Sequence, residues 1–289
     1  MLHCLRCDHG FLIQNHSVDA RQFYAQEYRQ EYSHRAEQTK TSPRELFEVY
    51  KLYQNERLNT ISPLLKPDTR LLEVGASSGH FLWHIRDRVS QVYAIELDKT
   101  CCKFLEEELG IPADHEYLEN SRFAGEQYDL VCAFQVMEHV GDPVTFLLTL
   151  VDATLPGGNI LVEVPNLYDP LLSVWDVPAY GSFYYHSAHL HYFSESSLRK
   201  VAHEAGFTDA DIEIIHTQDY NLLNHLHWIM NNAPQSDCHI GLGEVLLKGR
   251  NHAINSWVSQ ELKELNRRYA EKLAESGFTS NMMMKLRRE

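Results

Sequence analysis

The chain is poor in paired cysteines. It has six in 289 residues, and only Cys4 and Cys7 stand at C-x-x-C spacing. A disulfide framework would need paired spacings throughout, so a reducing compartment, the cytoplasm, is expected. Zinc commonly takes four protein ligands, and no second C-x-x-C follows to complete a set. Long apolar runs are missing too: nothing approaches the roughly 20 residues of a membrane helix, and the first residues are not a secretory signal. Basic residues are in the minority, with 26 Lys and Arg against 40 Asp and Glu, for a net charge of −14. No basic run is long enough to give the positive face that a nucleic-acid binder presents. Internal repeats and low-complexity segments are also absent. These absences leave a chain that acts on a small molecule, with neither nucleic acid nor membrane as partner.

What is present is organised around Leu71-Leu72-Glu73-Val74-Gly75-Ala76-Ser77-Ser78-Gly79-His80-Phe81-Leu82. Arg70 to Val74 reads as a short buried strand. Gly75 and Gly79 bracket a tight loop. His80 to Arg86 then reads as a helix, with Leu82, Ile85 and Val89 at helical spacing. Strand, glycine loop and helix is how an open α/β sheet binds a nucleotide. The glycines let a ligand approach the backbone, and the helix start offers free N–H groups. Glu73 narrows the choice, because a carboxylate beside the loop repels a pyrophosphate and holds an ammonium. The expected ligand is a nucleoside carrying an amino acid. The second strand, Gln91 to Glu96, ends on an acid placed to hold two ribose hydroxyls.

The spacing of Glu73, Gly75 and Gly79 resembles the first motif, E/D-x-G-x-x-x-G, of class I S-adenosylmethionine-dependent methyltransferases. Two more segments extend the resemblance over roughly residues 70 to 207. One is Gln135-Val136-Met137-Glu138-His139-Val140 ahead of Asp142-Pro143. The other runs from Leu155-Pro156-Gly157-Gly158 to Glu163-Val164-Pro165-Asn166, similar to the family's L-x-P-G-G-x-L-x-x-E-x-P-N. The resemblance implies a Rossmann-like α/β fold with a seven-stranded sheet, N-terminal helices over the cofactor and a helical insertion before the last, antiparallel strand. It divides the chain into 1–60, a ribbon remnant and covering helices; 61–217, the cofactor-binding core; and 218–289, the insertion and final strand. It also implies S-adenosylmethionine as cofactor. Glu73, Gly75, Ala76, Ser77, Gly79, His80 and Phe81 would hold it at the loop, and Glu96 and Leu97 at the second strand. Leu118 and Glu119 would frame the adenine, with Phe134 and Gln135 beneath the methyl donor.

Further strands are expected near His115 to Leu118, at Tyr128 to Phe134, Asn159 to Val164 and Asp211 to His216, and finally at Met282 to Leu286. Tyr24, Tyr28 and Tyr32 share one helical face. A helix opened by Ser42-Pro43 is expected to run to about Leu58, with Leu46, Val49, Tyr50 and Tyr53 inward. A long helix is expected from about Asn251 to Ala274, with Val258, Leu262, Leu265, Tyr269 and Leu273 on one face.

Residues 167 to 192 are too many for a short strand-to-helix connection and are rich in aromatics and histidines. They leave the fifth strand at its carboxyl end, where α/β sheets bind ligands. Tyr184 and His186 are therefore candidates for the acceptor pocket, as are Tyr220, Asn221, Asn224 and His225 beyond the sixth strand. His189 is the candidate general base, with His191 and Tyr185 behind it, since a neutral histidine takes a proton near neutral pH. Sugar C-methyltransferases that resemble this chain use a Glu-His pair here. The histidine matches His189, and Ala188 stands where the glutamate would be. In some quinone O-methyltransferases an acid together with the Glu-His pair binds a divalent metal. Gln135 occupies that acid's place, so no metal is expected, and Glu138 and His139 read as supports. Cys4 to Phe11 looks like the second half of a zinc ribbon known from sugar and secondary-metabolite methyltransferases. Its first half is absent, either because the ribbon has decayed or because the true start lies upstream, and a metal-free hairpin is expected.

The sequence thus points to a methyltransferase acting on a small molecule by in-line transfer, with a nucleotide-linked sugar or related secondary metabolite as acceptor. An aromatic or quinone-like O-methylation acceptor is the alternative. Two readings from other classes stay open. A nicotinamide oxidoreductase shares the loop, but it wants G-x-G-x-x-G where Ser77 and His80 stand. A non-catalytic subunit would keep the cofactor fold alone. A homodimer is compatible with the sequence.

Overall fold

The computed structural model describes residues 1–13, 42–235 and 241–289. Tyr24, Tyr28 and Tyr32 lie outside the described residues. The chain opens with a hairpin, β1 (Leu2–Cys4) and β2 (His9–Phe11). Helices α1 (Pro43–Tyr50) and α2 (Asn55–Ile61) lead to β3 (Arg70–Val74). Then come α3 (Leu82–Ile85), β4 (Gln91–Ile95), α4 (Lys99–Leu109) and β5 (Ala113–Asp114). β6 (Tyr128–Phe134), α5 (Pro143–Asp152) and β7 (Thr154–Pro165) follow. The insertion after β7 holds α6 (Pro170–Ser173), α7 (Pro178–Tyr184) and β8 (His191–Tyr192). The chain ends through α8 (Glu195–Glu204), β9 (Ile212–Thr217), α9 (Leu222–Asn231), α10 (His252–Ser276) and β10 (Asn281–Arg287).

Seven strands form one sheet in the order β5-β4-β3-β6-β7-β10-β9. All neighbours are parallel except β10, which runs antiparallel to both β7 and β9. This is the Rossmann-like seven-stranded arrangement expected from the sequence. The chain steps outward from β3 to β4 and β5, then returns to place β6 on the other side of β3. Ligands bind at such a switch point, beyond the carboxyl ends of the strands. The central strands are apolar along their length, as strands covered on both faces must be. Leu71, Leu72, Val131, Cys132, Leu161 and Val162 have no exposed surface.

Helix signals in the sequence act locally. Asp98 caps α4 by accepting from Thr100 and Cys101 N–H, and Gly110 ends it at φ +67°. Asp142 caps α5 ahead of Pro143 in the same way. Four expectations are corrected. The helix opened by Ser42 stops at Tyr50 and restarts at Asn55. Between them Gln54 is buried and its amide donates to the Tyr50 carbonyl at 2.9 Å, satisfying the helix end. Phe47 fills the core there, while Leu46, Val49, Tyr50 and Tyr53 face a cavity. The third strand lies at Ala113–Asp114 rather than His115 to Leu118, because the Asp114 carboxylate accepts from Glu116 and Arg122 N–H and turns the chain. The fifth strand begins at Thr154, with a register shift against β6 carrying Pro156-Gly157-Gly158. On α10, Leu265 is exposed along the cavity, and Leu273 is the buried member of its face.

Candidate functional site: a cofactor loop and an acceptor cavity

A cavity of about 1740 Å³ opens beyond the carboxyl ends of β3, β4, β6 and β7. The glycine loop forms its floor. Gly75 sits at φ +81° and Gly79 at φ +75°, a backbone region that favours glycine. A Cβ on Gly75 would overlap Val136, and one on Gly79 would overlap Leu105 of α4. Gly75 and Ala76 donate N–H to the Ile95 carbonyl at 2.7 and 3.1 Å, binding the loop to the end of β4. Glu96, one residue further on, accepts from Ser77 N–H at 2.6 Å and Asp98 N–H at 2.8 Å.

Glu73 is buried at the cavity wall, and its Oε2 has no hydrogen-bond partner. Burial pushes its carboxyl up to about 8, against the pull of Arg57 and with help from Glu96 and Glu163. An orphaned buried carboxylate oxygen is costly unless a ligand satisfies it. A cofactor ammonium does so, and the Glu96 carboxylate at the loop edge suits ribose hydroxyls. The residues present therefore fit a nucleoside bearing an amino-acid tail.

The sequence-predicted cofactor residues fall into two groups. Glu73, Gly75, Ser77, His80, Glu96, Leu97, Leu118, Glu119, Phe134 and Gln135 line the cavity. Ala76 and Phe81 are buried in the apolar core instead, and Gly79 packs against α4. On the acceptor side Tyr184, His186, His189, Tyr220, Asn221 and Asn224 line the cavity. His225 has no exposed surface and bonds the Tyr269 hydroxyl at 2.6 Å. His191 faces the N-terminal hairpin, 3.0 Å from His9 Nε2. Tyr185 packs edge-on against Tyr184 and Tyr192, away from the cavity lining.

Two features of the wall are not read from the sequence: an ion pair, and the convergence of four residues that the sequence singles out separately. Arg57 on α2 meets Glu163 of β7, with Nε 3.1 and 3.2 Å from the two carboxylate oxygens, and lies 4.6 Å over the Phe134 ring. Gln135, held at φ +57°, donates to Glu163 at 3.0 Å and to Asn281 at 3.2 Å. Asn281 in turn donates to Asp219, whose carboxyl burial and Glu163 push up to about 7. Glu163 lies inside the Leu155–Asn166 motif. Arg57 had no local signal.

The other feature is a compact group of ionisable side chains. Glu138 has no exposed surface, and neither of its carboxylate oxygens has a partner. His139 Nε2 lies 3.6 Å from Glu138 Oε1, and its Nδ1 bonds the Ala188 carbonyl at 2.8 Å. The His139 and His189 rings are 4.8 Å apart, and His186 and His189 3.9 Å apart. Burial pushes Glu138 up to about 8 and His139 down to about 4. Burial also drives His189 well below the usual histidine range, with His139 and His186 adding to the effect.

The fold and this site define a class I S-adenosylmethionine-dependent methyltransferase, with S-adenosylmethionine as the cofactor. Residues 44–212, more than half of the chain, match the family described as "Methyltransferase domain", and the chain belongs to that family. It is 40% identical over 62 residues to the ubiquinone biosynthesis O-methyltransferase of Methylobacterium sp. (strain 4-46). That match covers 21% of this chain, and the chain spans about a quarter, 25%, of this curated relative. Among solved structures it is similar to phosphoethanolamine N-methyltransferase 2 of Haemonchus contortus, seen in complex with S-adenosylmethionine. There the TM-score is 0.54 at 15% identity, covering 96% of this chain and 62% of that one. A possible histamine N-methyltransferase of Thermotoga maritima gives a TM-score of 0.52 at 15% identity, covering 85% and 94%. At such identities the likeness is one of fold.

No helix among the described residues is long and apolar enough to cross a membrane.

Proposed function

We propose that the chain transfers a methyl group from S-adenosylmethionine to an oxygen of a small, uncharged aromatic or quinone-like acceptor. The observation that carries this reading is the chemistry of the cavity wall. Tyr180, Phe183, Tyr184 and Trp228 supply an aromatic face, with the Tyr180 and Trp228 rings 5.0 Å apart. Among the described residues the cavity-lining cations are each engaged by a carboxylate: Arg57 by Glu163, Lys263 by Glu244, and Arg267 by Glu264 and Glu271. A nucleotide-linked sugar brings two phosphates, which call for cations free to meet them. The curated O-methyltransferase relative is in keeping with the aromatic reading. The sugar-pathway resemblance, and the half ribbon at Cys4 and Cys7, support the nucleotide-linked alternative.

S-adenosylmethionine supplies an electrophilic methyl carbon on a sulfonium. Everything else falls to the chain. Glu73 and Glu96 anchor the two ends of the cofactor, and Phe134 and Gln135 close the floor beneath it. The aromatic wall excludes water and sets the acceptor in line, which is the main source of rate in such a transfer. His189 lies on the acceptor side as a neutral imidazole, ready to take the hydroxyl proton. A competition assay tests the acceptor class. Catechol- and quinol-type compounds should become methylated at micromolar to millimolar KM, and a nucleoside-diphosphate sugar should neither react nor compete. The reverse pattern would restore the sugar reading.

A further inference from the structure

We propose that Glu138, His139 and His189 form a binding site for a first-row divalent transition metal at the acceptor wall of the cavity. One carboxylate oxygen and one ring nitrogen from each histidine all lie within 4.8 Å of one another. Metal–ligand bonds of about 2.1 Å at tetrahedral angles put donor atoms about 3.4 Å apart, so the widest separation must close by a little over an ångström, a movement on the scale of a side-chain rotation.

Three observations make this more than a chance grouping. First, Glu138 is a wholly buried carboxylate with no hydrogen-bond partner on either oxygen. An isolated buried carboxylate is among the most costly groups a fold can hold, and pairing with a metal is one of the few ways to satisfy it. Second, His139 Nδ1 bonds the backbone carbonyl of Ala188 at 2.8 Å. A metal-ligating histidine characteristically gives its other ring N–H to a carbonyl or carboxylate, which fixes the tautomer and aims the remaining nitrogen at the metal. Third, His189 is half-buried at the cavity wall, and its Nδ1 is without a partner. The backbone joins the two halves of the site, since Leu190 donates N–H to the Glu138 carbonyl at 2.8 Å.

The ligands are not three neighbours in sequence. Gln135 stands where a further acid would be needed for a local set, and its amide is turned to Glu163 and Asn281. His189, from the insertion between β7 and α8, takes the third place. Two imidazoles and one carboxylate suit manganese, iron, cobalt or zinc rather than magnesium or calcium, which prefer oxygen donors. All three residues line the cavity. With a dication held there, His189 would serve as ligand in place of base, and the metal would bind the acceptor hydroxyl and favour loss of its proton.

Cobalt(II) is the probe. The full chain, stripped with chelator, is titrated with cobalt(II) in the absence of cofactor and acceptor. Binding is followed by visible absorption and calorimetry. One equivalent should bind. Glu138→Gln and His189→Ala should each weaken binding at least 10-fold, the loss seen even for residues that merely orient metal ligands. The double variant Cys4→Ser/Cys7→Ser should leave the affinity unchanged, which separates this site from the hairpin thiols. S-adenosylmethionine affinity, measured on each variant, reports that the chain is folded, and His189→Asn is the substitute where His189→Ala is not. Absence of cobalt binding to the folded chain, or binding lost only with the cysteines, would overturn the proposal. Because no acceptor is present, the result stands whether or not the aromatic acceptor is right.

Discussion

Ser77 donates its backbone N–H to the Glu96 carboxylate at 2.6 Å, tying the glycine loop after β3 to the tip of β4. The sequence assigns Glu96 to the ribose hydroxyls. In the fold it also accepts from Asp98 N–H, so one carboxylate links the loop, the strand end and the start of α4. Glu96→Ala is expected to weaken S-adenosylmethionine binding by about 1.5–3 kcal/mol, the range for hydrogen bonds to a charged group. Calorimetry checks this. Unchanged affinity would take Glu96 out of the site.

Glu73 carries a pH signature. Burial, with Glu96 and Glu163 adding to it and Arg57 opposing, puts its carboxyl at about 8, so the free chain holds a proton there at neutral pH. A cofactor ammonium calls for the carboxylate, so binding at pH 7 is expected to release this proton. Cofactor affinity then falls as pH drops below about 8. The sign for stability follows from the same shift. The folded chain holds this proton where the unfolded chain has lost it, so the contribution is complete below the unfolded carboxyl range and vanishes as pH rises through about 8. Calorimetry in buffers of different ionisation enthalpy counts the protons. Glu73→Gln should abolish this share of the release, and an unaltered count in that variant would contradict the assignment.

Asn224 and His225 are adjacent on α9 but do different work. Asn224 lines the cavity, and its side-chain oxygen has no partner. His225 is fully buried against Tyr269. Asn224→Ala is expected to raise the acceptor KM several-fold with cofactor affinity intact. His225→Ala is expected to lower stability by about 1–3 kcal/mol, the cost of leaving a buried partner unsatisfied, with KM nearly normal. Steady-state kinetics and thermal melts separate the two, and equal effects on KM would put both residues in the pocket.

Much of this architecture is written in short-range signals. The glycine loop, the Asp98 and Asp142 caps and β6 at Tyr128–Phe134 depend on residues a few positions apart, and they stand where the sequence puts them. The antiparallel final strand is legible as well, because its apolar run continues the sheet. What escapes the sequence depends on distant partners. Arg57 and Glu163 are 106 positions apart, and nothing local marks either as half of a pair. The group of Glu138, His139 and His189 exists because the β7 insertion folds back onto the end of β6. Local polar chemistry overrides apolar spacing at Gln54, which ends one helix, and at Asp114, which turns the chain after a two-residue strand. His191 and His225 illustrate the same limit: residue type made them candidates, and packing directs one to the hairpin and the other into the core.

The most direct test is methyl transfer itself. The full chain is incubated with methyl-labelled S-adenosylmethionine and a small-molecule extract, and the products are separated by mass. Label is expected to appear in a small aromatic compound as an O-methyl group, and Glu96→Ala to slow its appearance. Label found only in protein or nucleic acid, or cofactor binding with no labelled product from any acceptor, would contradict it.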